Sequence, residues 1–177
     1  MLPVGPLMIE HRLIERMIKV MKQKLAEMDA AQAVDPVFVD TAVDFLRTYA
    51  DRCHHGKEED ILFRELAQKP LSPDLKGILD ELIAEHQQAR RLVGHMLEAK
   101  ERWLRGEKGA LTAVLQPMGK LVEFYPDHIA KEDKRLFLPC MEYFGPKERE
   151  ALLQEGHEFD RKLIHERYLH VVEQHGG

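Results

Sequence analysis

Two stretches of the chain decide how the rest is read: His54-His55-Gly56-Lys57-Glu58-Glu59-Asp60-Ile61-Leu62-Phe63 and His128-Ile129-Ala130-Lys131-Glu132-Asp133-Lys134-Arg135-Leu136-Phe137. Aligned on Leu-Phe, they superpose His54 on His128 and Glu58 on Glu132. Upstream lies a second matching pair, Glu10-His11 and Glu85-His86. His11 and His54 are 43 residues apart, and His86 and His128 are 42 apart. The chain thus repeats one unit twice: a histidine on a first helix, then His-x-x-x-Glu on a second.

Working outward, apolar residues recur with helical period on both sides of each motif. Met8, His11, Ile14, Ile18, Met21 and Leu25 form one stripe of a first helix, expected over about 7–29. Asp35-Pro36 and Ser72-Pro73 each read as a capping residue followed by a first-turn proline. They predict a second helix over about 36–68, stopped before Pro70, and a third over about 73–105, ended by Gly106. The fourth is expected over about 109–139, with Pro126 kinking it. Gly145-Pro146 opens a shorter fifth helix over about 146–172. No segment alternates with period 2, so no sheet is expected. Helices of roughly 30 residues span about 45 Å. The expected fold is therefore an all-α, antiparallel up-down four-helix bundle with an additional C-terminal helix, within a single 177-residue domain.

His and Glu at i and i+4 lie one turn apart on one helical face. Stepping back from His54 meets Ala50, Leu46 and Val43; stepping forward meets Glu58 and Ile61. His54 and Glu58 thus occupy the buried stripe. His55 steps back to Asp51, Arg52 and Thr48, a wetter face, which makes His55/Glu59 the second-ranked register. His86 follows Leu79 and Leu82, His128 follows Leu121 and Phe124, and His11 lies between Met8 and Ile14. Six polar groups at core positions need a reason, because unpaired burial costs several kcal/mol each. His11, His54, His86, His128, Glu58 and Glu132 together offer four imidazole nitrogens and two carboxylates. That set suits two iron ions with positions left open for small ligands; imidazole also suits zinc, which can substitute.

Composition excludes several alternatives. Lys and Arg number 26 and Asp and Glu 31, a net charge of −5, and no basic stripe of the kind nucleic acid requires is present. No run of about 18 uncharged apolar residues suggests a membrane span, and no signal peptide opens the chain, so a cytoplasmic location is the expectation. Ten histidines stand against 2 cysteines. The cysteines form neither a disulfide framework nor a CxxC motif.

The sequences HHGKEEDILF and HIAKEDKRLFLP, with the order His…HxxxE…His…HxxxE, resemble the hemerythrin-like family, also called the HHE cation-binding domain. The resemblance covers about residues 7–139. It implies a four-helix bundle around a non-haem di-iron centre, bridged by carboxylates and an oxo or hydroxo group, with His11, His54, Glu58, His86, His128 and Glu132 as metal ligands. Oxygen-carrying members have a second histidine four residues after the third-helix ligand; here that position is Arg90. They also have a more widely spaced final aspartate, where this chain has Glu132. Four histidines and two glutamates look more like the iron-centre-repair and iron-sensing relatives. The implied function is to bind or react with O2, peroxide or NO, or to supply iron for repair. The alternative is a non-catalytic iron- or oxygen-responsive sensing module. No particular redox partner is implied. A long bundle can also expose an apolar stripe for a homodimer.

The remaining candidates have plainer readings. Glu85 reads equally as an outer hydrogen-bond acceptor or a surface glutamate; for Glu10 the surface reading ranks ahead of the same acceptor role. Arg90 reads as a polar lid or a solvated side chain. Tyr49 and Tyr125 read as core packing, Cys53 and Cys140 as small apolar residues. The charges over 57–60 and 131–134 read as solvated faces. His95, His157, His165, His170 and His175 read as surface or packing residues. His165-Glu166 through His170 falls one residue outside the HExxH spacing, so its two histidines cannot share a metal.

Overall fold

In the computed structural model, Asp35 and Ser72 cap their helices as their sequence contexts predict. Asp35 accepts from the Phe38 amide at 3.0 Å and the Ser72 hydroxyl oxygen from the Leu75 amide at 3.2 Å. These side chains satisfy amides that a helix start otherwise leaves bare. The structure describes residues 1–174, with side chains through Leu163. The His165 and His170 side chains and the end of the tail lie outside what is described.

Five helices follow one another, and among the described residues there is no strand. α1 is Val4–Ala31. α2 covers residues 36–66, α3 is Pro73–Leu104, and α4 covers residues 110–140, running through Pro117 and Pro126. α5 is Pro146–Gln174, close to the 146–172 that the sequence predicts and, at 29 residues, about as long as its neighbours. Gly106 and Gly109, with φ of 74° and 78°, turn the chain between α3 and α4, a backbone that favours glycine.

Each of α1 to α4 packs on the next, and α1 closes against α4. Short connections make neighbours antiparallel, which brings residues 11, 54, 86 and 128 to one level. That level divides the core. On one side lie Ile14, Ile18, Met21, Leu46, Val93, Met96 and Leu121; on the other lie Leu7, Ile61, Leu66, Leu82, Leu136 and Phe137. Each such buried aliphatic contributes about 1.5–3 kcal/mol, and these two layers sustain the polar one between them.

The second and fourth helices are not regular at that level. Leu46–His55 and Glu58–Phe63 of α2, and Glu132–Leu136 of α4, are wound as π-helix, with i→i+5 hydrogen bonding. The wider turn reduces the angle between consecutive side chains below the 100° of an α-helix. Residues 46, 50 and 55 then share an inward stripe. α5 packs across the outside of α2 at these wound segments. Among the described residues, no helix is long and apolar enough to cross a membrane.

Candidate metal centre

Five imidazoles meet in the polar layer, each held from behind by a carboxylate. The His11 Nδ1 pairs with Asp133 at 2.8 Å, His54 with Glu10 at 2.9 Å, His55 with Asp51 at 3.4 Å, His86 with Glu59 at 2.7 Å and His128 with Glu85 at 2.8 Å. A ring that donates its Nδ1–H outward carries a lone pair on Nε2. All five Nε2 atoms point into one cavity. Those of His55, His86 and His128 have no hydrogen-bond partner there, nor have any of the four carboxylate oxygens of Glu58 and Glu132. The His11 and His54 Nε2 atoms face each other at 2.9 Å. Native proteins rarely leave so many buried acceptors unpaired.

The donors fall into two groups. His55, His86 and His128 lie together, as do His11, His54, Glu58 and Glu132. Both carboxylates span the two. Glu58 sets one oxygen 3.5 Å from the His54 Nε2 and the other 3.4 Å from that of His86. Glu132 sets one oxygen 3.1 Å from His11 and the other 3.2 Å from His128 and 3.5 Å from His86. Such an arrangement can hold two cations side by side with both glutamates between them. Imidazole and carboxylate together suit iron and zinc. One half has three histidines and the other two, because the repeat places Ile129 where His55 stands.

Charge in the layer is set by burial and by these contacts. Burial drives the His54 imidazole well below its ordinary pKa, and burial with the His86 ring alongside takes His55 down to about 3. Burial also opposes protonation of His11, yet Asp133 and Glu132 more than offset it and raise the group to about 8. Burial and the facing Glu132 push the Glu58 carboxyl well above the usual range. Burial acts on Glu132 as well, but His128, His11 and His86 hold it well below. Without a cation between them, two carboxylates this close and this buried resist being ionised together.

All six residues singled out in the sequence reach this cavity: His11, His54, Glu58, His86, His128 and Glu132 are each at most 2% exposed. Several other readings are corrected. His55 is 1% exposed instead of facing water, and it stacks on His86 with ring centroids 3.8 Å apart. Glu59 remains outside the cavity, where it accepts from Arg90 at 2.9 Å. Arg90 also reaches Asp51 at 2.8 Å, which makes it a cross-brace, neither a free solvated residue nor a ligand. Glu10 and Glu85 both act on histidine. Lys57 is 5% exposed instead of solvated. Cys53 is half-buried with Sγ 3.5 Å from Asp160, and burial pushes its thiol up to about 12. Cys140 is fully buried. Tyr125 is buried near His128, while Tyr49 is half-buried and stacks on Phe45. Glu85 takes the outer-acceptor role that the sequence allows it; Glu59 and Asp133, whose acceptor role the sequence reading passes over, had one usable signal, the repeat itself, since they follow equivalent glutamates.

A family model described as the hemerythrin HHE cation binding domain matches residues 2–140. Similar curated proteins include the uncharacterized protein Rv1995 of Mycobacterium tuberculosis and the uncharacterized protein Mb2018 of Mycobacterium bovis. Each is 22% identical over 131 residues, which is 74% of this chain and 50% of theirs. The chain spans about half the length of the curated relatives it matches. No solved structure matches it.

Proposed function

This chain belongs to the hemerythrin HHE cation-binding family, and from that premise we propose that it holds two iron ions and uses them to bind or react with dioxygen, peroxide or nitric oxide, or hands iron on for repair of iron centres. The observation that carries this reading is the convergence of buried Nε2 and carboxylate atoms with no partner of their own. His55, His86 and His128 would hold one ion, His11 and His54 the other, and Glu58 and Glu132, whose oxygens face histidines of both groups, would contribute carboxylate. Iron, when bound, supplies a redox-active Lewis acid.

The chain's own side chains do the rest. The five outer carboxylates fix each imidazole's tautomer and raise its basicity. Phe137 stacks on His11, Phe63 on His86 and Phe124 on His128, so aromatic rings keep water off the ligands. A groove of about 550 Å³ between α1 and α4 is lined by Ile18, Tyr125 and Ile129. It passes Tyr125, whose ring lies 6.3 Å from that of His128, and is the route assigned to a small uncharged ligand.

Metal analysis of protein expressed in iron-supplemented medium tests the proposal. About two irons per chain are expected; stoichiometric zinc without iron overturns it. The Glu58–Glu132 pair also favours a second reading, an iron-responsive module whose stability reports metal supply. Addition of peroxide or NO separates the two: no consumption and no spectral change favours the sensor.

A further inference from the structure

The two halves of the repeat build the same outer network, with one difference. In the second half, Lys131 donates to Glu85, which holds His128, and also to Glu81 one turn earlier on α3. In the first half, Lys57 donates to Glu10, which holds His54. The repeat position of Glu81 on α1 is Pro6, which has no acceptor side chain. The missing carboxylate arrives from α5: Asp160 accepts from the Lys57 Nζ at 2.6 Å. Glu10, Cys53 and Asp160 cluster as if for a metal, but the Lys57 ammonium is the cation that both carboxylates of the cluster hold.

The sequence is adapted to bring that helix in. Gly56 stands where the other half has Ala130, and a Cβ at position 56 would lie 2.8 Å from the Phe159 ring. Arg64 grips Glu155 with two hydrogen bonds of 2.8 Å, and Lys69 reaches Glu148 at 2.6 Å. α5 lies beyond the residues that the family model matches.

We propose that α5 is a working part of the metal centre and that Asp160 is a positioning residue acting on His54 through Lys57 and Glu10. This rests on the metal-centre reading above. Docking of α5 then tightens the ion held by His11 and His54 and leaves the ion held by His55, His86 and His128 unaffected. Outer-sphere partners of metal-bound histidine typically change metal affinity by about 10–100-fold.

The test compares Asp160→Asn with Glu81→Gln, its counterpart in the other half, in the full chain. In iron-loaded Asp160→Asn, a chelator should remove one metal equivalent at least about tenfold faster than from wild type, with the second leaving at the wild-type rate. Asp160→Glu should restore slow release. Unchanged release of both, or equal acceleration of both, overturns the proposal. A second measurement needs no metal: at fixed pH, Asp160→Asn should move the imidazole nitrogen NMR resonances of His54 and spare those of His128. Glu81→Gln should leave His54 unmoved. If wild type binds no metal, the metal-centre reading fails by itself, and an unmoved His54 in Asp160→Asn then overturns the coupling to α5.

Discussion

His55 on α2 and His86 on α3 lie face to face, ring centroids 3.8 Å apart and 13° from parallel. The Nε2 of each is buried in the cavity without a hydrogen-bond partner. Replacing His55 with Ala therefore removes a donor from the three-histidine half. We expect metal content in His55→Ala to fall from about two per chain towards one, measured by elemental analysis. Retention of both ions in that variant would remove His55 from the ligand set.

The glutamate pair sets stability against metal binding. Glu58 is fully buried opposite Glu132, and burial with that neighbouring charge pushes its carboxyl well above the usual range. Glu58→Gln preserves shape and removes the like-charge conflict. The metal-free variant should gain on the order of 1–3 kcal/mol over metal-free wild type in denaturant unfolding. The same variant should no longer retain two ions. A metal-free variant less stable than wild type would contradict that upward shift.

The metal-free chain should be most stable near pH 6.5. His55 has its folded pKa depressed to about 3 from 6.5. Its contribution is present above 6.5 and is lost as pH falls towards 3, because the unfolded chain binds the proton first. His11 has its folded pKa raised to about 8. Its contribution is complete below 6.5 and is lost as pH rises through 8. Thermal unfolding of chelator-treated protein across pH 4–9 (roughly the span of these two windows) checks the maximum. A flat profile would contradict both shifts.

Gly56 is required by the approach of α5, not by its own backbone, which is helical. Gly56→Leu should push Phe159 away at a cost of about 1–3 kcal/mol and speed proteolysis within α5. Combining it with Phe159→Ala should restore part of the loss. Equal protease resistance of Gly56→Leu and wild type would show that the contact does not hold the helix.

Much of this arrangement was legible in advance. The capping pairs Asp35-Pro36 and Ser72-Pro73 place two helix starts because a side-chain acceptor followed by a fixed φ is local chemistry. The repeat brings His11, His54, His86 and His128 to one level because equal helix lengths imply equal heights. His55 escapes the sequence for an equally local reason. An α-helical period puts it on the wet face, whereas Leu46–His55 is wound as π-helix, which aligns it with Leu46 and Ala50. Nothing in that segment's composition announces the wider turn.

What the sequence determined by itself is periodic: five helices, their order, and six polar side chains on their inward stripes, since spacing along a helix fixes which face a residue takes. What only the tertiary structure decided is which side chains complete one another across helices. The pairings of Glu10 with His54, Glu59 with His86, Asp133 with His11 and Glu85 with His128 each join two helices. So does Asp160 with Lys57, across 103 residues of chain. Such partners depend on helix rotation and the depth of packing, and those emerge only when all the layers close together.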